Sequence, residues 1–312
     1  MSVYTLVGET DLKRCLQDYQ AGELLSYTGI RDGIENTNYF VTTDKGEYVL
    51  TIFEYIGEDD AQYSLDLMQH LASQGLPCPM PHHDSQGQSL YRIHDKPACL
   101  VSRLCGQSPA EINSRHCSAI GDVLARFHLA SQSMKSHRPN NRNATWRHTT
   151  AERLQAFLNP EQKTLLADEL LFQETDLSHL PQGHIHADLF QDNTLFQQNQ
   201  LSGLLDLYDA CHDIYLYDLA ITATDWCSHE NGEFDPVRLQ SLLDGYTAIR
   251  PISSDEQAAW PVLLRRAALR FWLSRLKSRH FPNEGHLTQE KDPQVYHRLL
   301  QHYRISPQMW PG

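Results

Sequence analysis

The chain has 312 residues, a formal charge of −13, 40% hydrophobic and 21% charged residues, which is the composition of a soluble globular protein of one or two domains. The acidic balance excludes a general nucleic-acid binder, and no run reaches the roughly 18 apolar residues of a membrane span. Seven cysteines without a C-x-x-C spacing read as free thiols, and the first residues carry neither a basic n-region nor an apolar h-region, so a cytoplasmic protein is expected.

In chain order, residues 24–30, 38–43 and 47–53 are short Tyr, Phe, Val, Ile and Thr-rich runs, with Asp44-Lys45-Gly46 as a hairpin turn between the last two. A helix follows with Ala61, Leu65, Met68 and Ala72 on one face, ended by Gly75 and Pro77-Cys78-Pro79. Two further strands are expected between 88 and 104. The period then changes from two to 3.6 near Gly106-Gln-Ser-Pro109, which places a boundary between an N-terminal lobe, 1–104, and a C-terminal lobe, 105–312. The second lobe opens on a helix carrying Ile120, Val123, Leu124 and Phe127. A loop is expected at 135–150, a helix at 161–172, and helices at 215–228 and 236–249. A long helix then begins at the capping box Ser254-Asp-Glu-Gln257. The expectation is an α+β fold with a small antiparallel-sheet N-lobe and a larger, mainly helical C-lobe.

Between these helices stands His186-Ala-Asp-Leu-Phe-Gln-Asp-Asn193, then Thr194-Leu-Phe196, a polar turn and Leu204-Leu-Asp206. This stretch supplies a carboxylate, an amide oxygen five residues on, and a second carboxylate after a hairpin. That is the set needed to take a proton from a hydroxyl and to bind Mg2+ with ATP during phosphoryl transfer. Asp188 is the expected base, and Asn193 and Asp206 the expected metal ligands. His186 is expected to sit behind the base and orient the loop, and Asp192 to be a turn former. Asp218 either caps its helix or accepts hydrogen bonds from loop amides, and His128 reads as a core histidine. The 17 histidines include only two tight groups, His82-His83 and His184-x-His186, neither with further ligands at zinc-like spacing.

These segments resemble the aminoglycoside phosphotransferase and choline kinase superfamily, whose members share the protein kinase-like two-lobe fold. The likeness is narrower in Gly33-Ile-Glu-Asn-Thr-Asn-Tyr-Phe-Val41, Tyr48-Val-Leu-Thr-Ile-Phe-Glu54, Gly75-Leu-Pro-Cys-Pro79, Tyr217-Asp-Leu-Ala-Ile221 and Ala268-Leu-Arg-Phe-Trp-Leu-Ser-Arg-Leu276, which look like segments of bacterial homoserine kinases. The resemblance implies ATP-dependent phosphorylation of a small alcohol, homoserine first, a step toward threonine. Choline, methylthioribose, hydroxylysine and aminoglycosides stay open as acceptors, as does a catalytically silent nucleotide-binding relative. It further implies that the loop with Gly33, Glu35, Asn36 and Asn38 covers the nucleotide and that Val101 and Leu104 belong to a hinge beside adenine. The phosphate-binding lysine usual on the third strand is Thr51 here, and Arg31, Lys45 or Arg103 would have to compensate.

An amino-acid acceptor calls for an acid to meet its ammonium and an arginine to meet its carboxylate. Asp209, Asp213 and Asp225 are candidates for the first, and Arg138, Arg142, Arg266 and Arg270 for the second. Arg266 and Arg270 lie on the helix Arg265-Arg-Ala-Ala-Leu-Arg270-Phe-Trp-Leu-Ser-Arg275, which reads first as a solvated basic face. Trp226 is a candidate pocket wall, and the sequence leaves oligomeric state open.

Overall fold

The computed structural model describes residues 5–30, 36–229, 231–282, 291–307 and 310–311. These residues divide into two compact units. One comprises those up to Gly106 together with Ser202–Tyr208; the other comprises Gln107–Leu201 and everything from Asp209 onward.

The first unit begins with helix α1 (Glu9–Asp18), which no sequence pattern above anticipates, followed by strands β1 (Leu24–Gly29), β2 (Asn36–Thr43) and β3 (Glu47–Phe53). Helix α2 (Glu58–Ser73) buries Ala61, Leu65 and Met68 and ends where Gly75 takes φ +82°, a left-handed conformation that glycine adopts without Cβ strain. Strands β4 (Tyr91–Ile93) and β5 (Lys96–Ser102) complete a five-stranded sheet of order β1-β2-β3-β5-β4, antiparallel throughout. Along β2 the residues alternate between buried and half-buried, the period-two signature of a sheet with one covered face. Tyr39, Val41, Leu50, Ile52 and Leu100 join Leu12 and Leu16 of α1 in one buried cluster.

The second unit contains α3 (Ser114–Ala130), α4 (Ala144–Leu154), α5 (Pro160–Phe172) and β6 (Gln182–Ile185). A hairpin of β7 (Thr194–Gln197) and β8 (Gln200–Leu204) turns at Gln198 and Asn199, both with positive φ, and its second strand carries the chain into the first unit. Then come β9 (Cys211–Ile214), α6 (Tyr215–Trp226), α7 (Pro236–Thr247), α8 (Ser254–His280) and α9 (Pro293–Ile305). Among the described residues no helix is long and apolar enough to cross a membrane.

Three local expectations need correction. Helix α4 starts inside the stretch read as a loop. Its start is set by Asn143, whose side chain accepts the Trp146 N–H, and half of its buried residues are polar, Arg147 and Thr150 beside Ala151 and Leu154, so no apolar stripe announces it. The capping box of α8 is Ser253 with Glu256, one residue earlier than expected, because the serine that works is the one with a carboxylate three positions on. The arginines of α8 do not form a solvated face: Arg265 pairs with buried Glu169, Arg266 bonds the Gln173 side chain, and Arg270 is 3% exposed.

Helices α3 and α7 touch backbone to backbone. A Cβ at Gly121 would lie 2.1 Å from the Leu242 carbonyl oxygen, and one at Gly245 would lie 2.2 Å from that of Ser118. Neither partner is a side chain that can swing away. Gly121→Ala is therefore expected to force the helices apart at a cost of about 1–3 kcal/mol, read as a thermal midpoint lower by several degrees in scanning calorimetry. An unchanged midpoint would contradict the close approach.

Candidate active site

Strand β6 pairs antiparallel with β9, Gly183 opposite Asp213 and Ile185 opposite Cys211, and this pairing delivers the chain to the loop that begins at His186. The loop turns at Ala187, whose φ of +65° is unfavourable for a residue with a Cβ by about 1–2 kcal/mol. Asp218, at the start of α6, holds that turn. Its Oδ2 accepts the His186 N–H at 2.7 Å and its Oδ1 accepts the Ala187 N–H at 2.8 Å. From the other side Arg270 Nη1 donates to the Ala187 carbonyl oxygen. Of the two roles open to Asp218, clamping the loop amides is the one the geometry displays.

Asp218 is fully buried, and burial by itself would push its carboxyl up. The hydrogen bond from His128 and the loop amides more than offset this and hold it below the usual carboxylate range. His128 Nε2 lies 3.0 Å from Asp218 Oδ2, and His128 Nδ1 lies 2.7 Å from the Tyr246 hydroxyl. Burial lowers the His128 pKa, so the ring is neutral. One tautomer then satisfies both contacts: Tyr246 O–H donates to Nδ1, and Nε2–H donates to Asp218. His128 is a core histidine with a task.

Asp188 follows the turn, half-buried. Its N–H donates to His186 Nδ1 at 3.3 Å, which puts the His186 ring behind the loop, itself fully buried. Asn193 Nδ2 donates to Asp188 Oδ2 at 3.1 Å and to the Asp188 carbonyl at 2.9 Å, leaving Asn193 Oδ1 without a hydrogen-bond donor among the described residues. Asp209 faces the same region, with Oδ2 accepting from Arg270 Nη2 at 3.1 Å. Burial opposes ionisation of both acids, but the balance differs. For Asp209 the charges of Arg270, Arg142 and Arg138 prevail and keep its carboxyl low. For Asp188 burial is reinforced by the negative charge of Asp209, and its pKa is pushed up from 3.8 to about 7 against the pull of Arg270 and Lys291.

Other residues singled out from the sequence lie elsewhere or are already engaged. Trp226 is fully buried with its indole N–H on the Leu189 carbonyl at 3.0 Å, so it supports the loop from the core. Asp225 accepts the Gln191 N–H at 2.9 Å, and its pKa is pushed up to about 6 by burial. Asp213 accepts from Asn140 Nδ2 at 2.6 Å and from the Ile214 N–H at 2.7 Å. Asp192 pairs with Lys291 at 2.7 Å, a contact no sequence spacing suggests.

The metal candidate Asp206 belongs to the first unit, is exposed, and has a left-handed φ of +57°. In that unit Asn36 and Asn38 lie on β2, and Asn38 Oδ1 accepts the Thr51 hydroxyl at 2.7 Å. Val101 is buried on β5 and Leu104 is half-buried just beyond it. Gly33, Glu35 and Arg31 lie outside the described residues. Lys45 donates to the Gln20 carbonyl at 3.0 Å, and Arg103 stacks on Phe40 with 4.1 Å to the ring centre. His137, His184 and His212 cluster in the second unit, but among the described residues no group of three or more His, Cys, Asp or Glu could hold a metal ion.

Residues 26–252 match the phosphotransferase enzyme family. The homoserine kinase of Methylobacillus flagellatus is 48% identical over 303 residues, spanning 97% of this chain and 95% of its own, and that of Janthinobacterium sp. (strain Marseille) is 42% identical over 96% and 95%. Among solved structures, an amicoumacin kinase in complex with AMP-PNP, Ca2+ and Ami superposes with TM-score 0.73 at 16% identity, covering 97% of this chain and 94% of its own. A microcompartment-associated aminopropanol kinase gives 0.68 at 17%, covering 95% and 98%. The fold is thus the two-lobe, protein kinase-like α+β fold of small-molecule phosphotransferases. The chain belongs to the phosphotransferase enzyme family.

A carboxyl that binds its proton more tightly when folded than when unfolded makes the fold less stable as pH rises between the two titrations, here from about 4 to about 7. Asp188→Asn, which cannot ionise, is expected to raise the thermal midpoint relative to wild type at pH 8 and to do so much less at pH 4.5, measured by differential scanning fluorimetry. Equal shifts at both pH values would show that Asp188 is not the group carrying this strain.

Proposed function

We propose that the chain transfers the γ-phosphoryl group of ATP to the side-chain hydroxyl of L-homoserine in the cytoplasm. The observation that carries this reading is the likeness to homoserine kinases over nearly the whole of both chains. In this reading residues 1–104 hold the nucleotide, with Gly33, Glu35, Asn36 and Asn38 over the phosphates and Val101 and Leu104 beside the adenine. Residues 105–312 hold the acceptor.

Phosphoryl transfer needs the hydroxyl in line with the γ-phosphorus, a place for its proton, and compensation for charge on the transferring oxygens. Asp188 takes the proton. A carboxylate titrating near neutrality is a stronger base than an ordinary aspartate, yet ionised often enough to act. The Asp218–His128–Tyr246 network, a carboxylate backed by a neutral imidazole and a phenol, keeps the loop, and so the Asp188 carboxylate, in one position. His186 backs the same loop.

For magnesium we assign Asn193 Oδ1 and the Asp206 carboxylate, hard oxygen donors of which the first has no hydrogen to accept within its own unit. Bound there with the nucleotide, the ion would offset phosphate charge. Asp209, held ionised beside Arg270, is the carboxylate we assign to a substrate ammonium.

An ADP-release assay with L-homoserine, L-serine, choline and kanamycin side by side is expected to give by far the highest kcat/KM for L-homoserine, and Asp188→Ala to lower kcat roughly 10²–10⁴-fold. Preference for choline or kanamycin would move the chain to another acceptor class, and Mg·ATP binding without transfer to any alcohol would mark a silent relative. Full turnover by Asp188→Ala would remove the base from the mechanism.

A further inference from the structure

We propose that Lys291 is a further catalytic residue, whose ammonium meets the oxygens of the phosphoryl group as that group passes to the acceptor hydroxyl beside Asp188. The inference rests on the proposed activity and deepens it, by assigning a cation that no sequence pattern points to.

Helix α9 places Lys291. The next residue, Asp292, is the N-cap of that helix: its side chain accepts the Gln294 N–H at 3.1 Å, its carbonyl accepts from Arg275 Nη1 at 2.8 Å, and its carboxylate lies 3.7 Å from Arg279. In the first turn of α9 the buried Tyr296 ring stacks on Phe271 of α8, 5.1 Å between ring centres, and on Phe190, 6.4 Å away. Phe190 stands two residues after Asp188. The loop thus helps to dock α9, and the start of α9 returns a lysine to the loop.

Lys291 Nζ lies 2.7 Å from Asp192 Oδ2 and 5.5 Å from the centre of the Phe190 ring. Asp188, Phe190, Asp192 and Asn193 share one tight turn. The Phe190 N–H donates to the Asp188 carbonyl at 2.8 Å, the Asn193 N–H to the Phe190 carbonyl at 3.0 Å, and Asn193 Nδ2 to Asp188 Oδ2 at 3.1 Å. The ammonium therefore touches the turn on which Asp188 itself stands. Of its three N–H donors Asp192 takes one, and it makes no second hydrogen bond among the described residues. Its side chain is 41% exposed, so a ligand can reach it from solvent. Arg270, which also reaches the loop, is buried and already engaged by the Ala187 carbonyl and Asp209. Burial works against the charge on Lys291, but Asp192, Asp188 and Asp225 outweigh it and hold its pKa above the ordinary lysine value.

An exposed ion pair contributes little to stability, so the Tyr296 stack and not the Lys291–Asp192 contact is what fastens α9 here. A charge held at the turn has a use in the reaction. The acceptor oxygen forms a bond to the γ-phosphorus, the bond from that phosphorus to the bridging oxygen breaks with its electron pair leaving on ADP, and the hydroxyl proton passes to Asp188. Negative charge meanwhile spreads over the three equatorial oxygens of the group in transfer. A hydroxyl within reach of Asp188 brings those oxygens to the turn that Lys291 touches. A compact ammonium on a flexible stem, with donors to spare, can follow them, and it keeps its three protons throughout.

The test measures ADP release by wild type, Lys291→Met, Lys291→Arg and Asp192→Asn with L-homoserine, or with whichever alcohol wild type turns over best. Lys291→Met is expected to lower kcat about 10–100-fold while KM for the acceptor stays within about threefold, and Lys291→Arg to recover much of the loss. Asp192→Asn removes the ion pair but leaves the ammonium, so its kcat should stay within about threefold of wild type. Equal losses in Lys291→Met and Asp192→Asn would reduce Lys291 to a brace on the loop, and a higher KM for the acceptor at unchanged kcat would move its contact to the acceptor. Either result overturns the proposal, as does full turnover by Lys291→Met, and in all three the kinase assignment stands on the wild-type rate. Circular dichroism identifies a Met variant that is merely misfolded, in which case Lys291→Gln carries the comparison. If wild type transfers phosphate to no alcohol, the proposed function fails and takes the role of Lys291 with it.

Discussion

A carboxylate sealed from water must find every one of its hydrogen bonds inside the protein, and Asp218 finds them in two consecutive loop amides and one neutral imidazole. That single requirement couples four elements. The amides belong to the loop after β6, the carboxylate to α6, the imidazole to α3, and the phenol behind it to α7. Helices α3 and α7 can supply their two groups at hydrogen-bonding distance because Gly121 and Gly245 let their backbones meet. The unfavourable φ at Ala187 persists because the carboxylate on one side and Arg270 on the other leave the loop no other place to go.

The charges around that loop divide the labour between two aspartates with similar burial. Arg270 reaches Asp209 directly and meets Asp188 only through the field, so Asp209 stays ionised while Asp188 is left near neutrality. Two carboxylates that share an environment with one asymmetrically placed cation are thereby driven to opposite sides of the ordinary aspartate range. The cost is electrostatic strain in the folded protein.

In the first unit the interest lies in what stands where a cation is usual. Thr51 is buried on β3 and its hydroxyl is spent on Asn38 of the neighbouring strand. Of the basic residues that would replace a lysine, Lys45 closes the β2–β3 hairpin region by holding Gln20, and Arg103 lies flat on Phe40 beside Glu47. The buried Glu54 of that unit is held by Lys96 and by the hydroxyls of Thr5 and Thr37, a closed polar network.

Much of the architecture is legible from local pattern. Period-two runs give the strands of the sheet, Gly75 stops α2, and the spacing of Asp188 and Asn193 announces the loop. These features depend on backbone preferences and on short-range geometry, which a sequence carries with it. Patterns fail where burial is polar: α4 hides Arg147 in place of a leucine, α8 buries its arginines against Glu169 and the Ala187 carbonyl, and neither resembles an apolar stripe. Which aspartate clamps the loop and which anchors a neighbouring segment was decided only by the tertiary structure. A carboxylate's role follows from its burial and from which donors and charges surround it, and those come from residues tens of positions away in the chain.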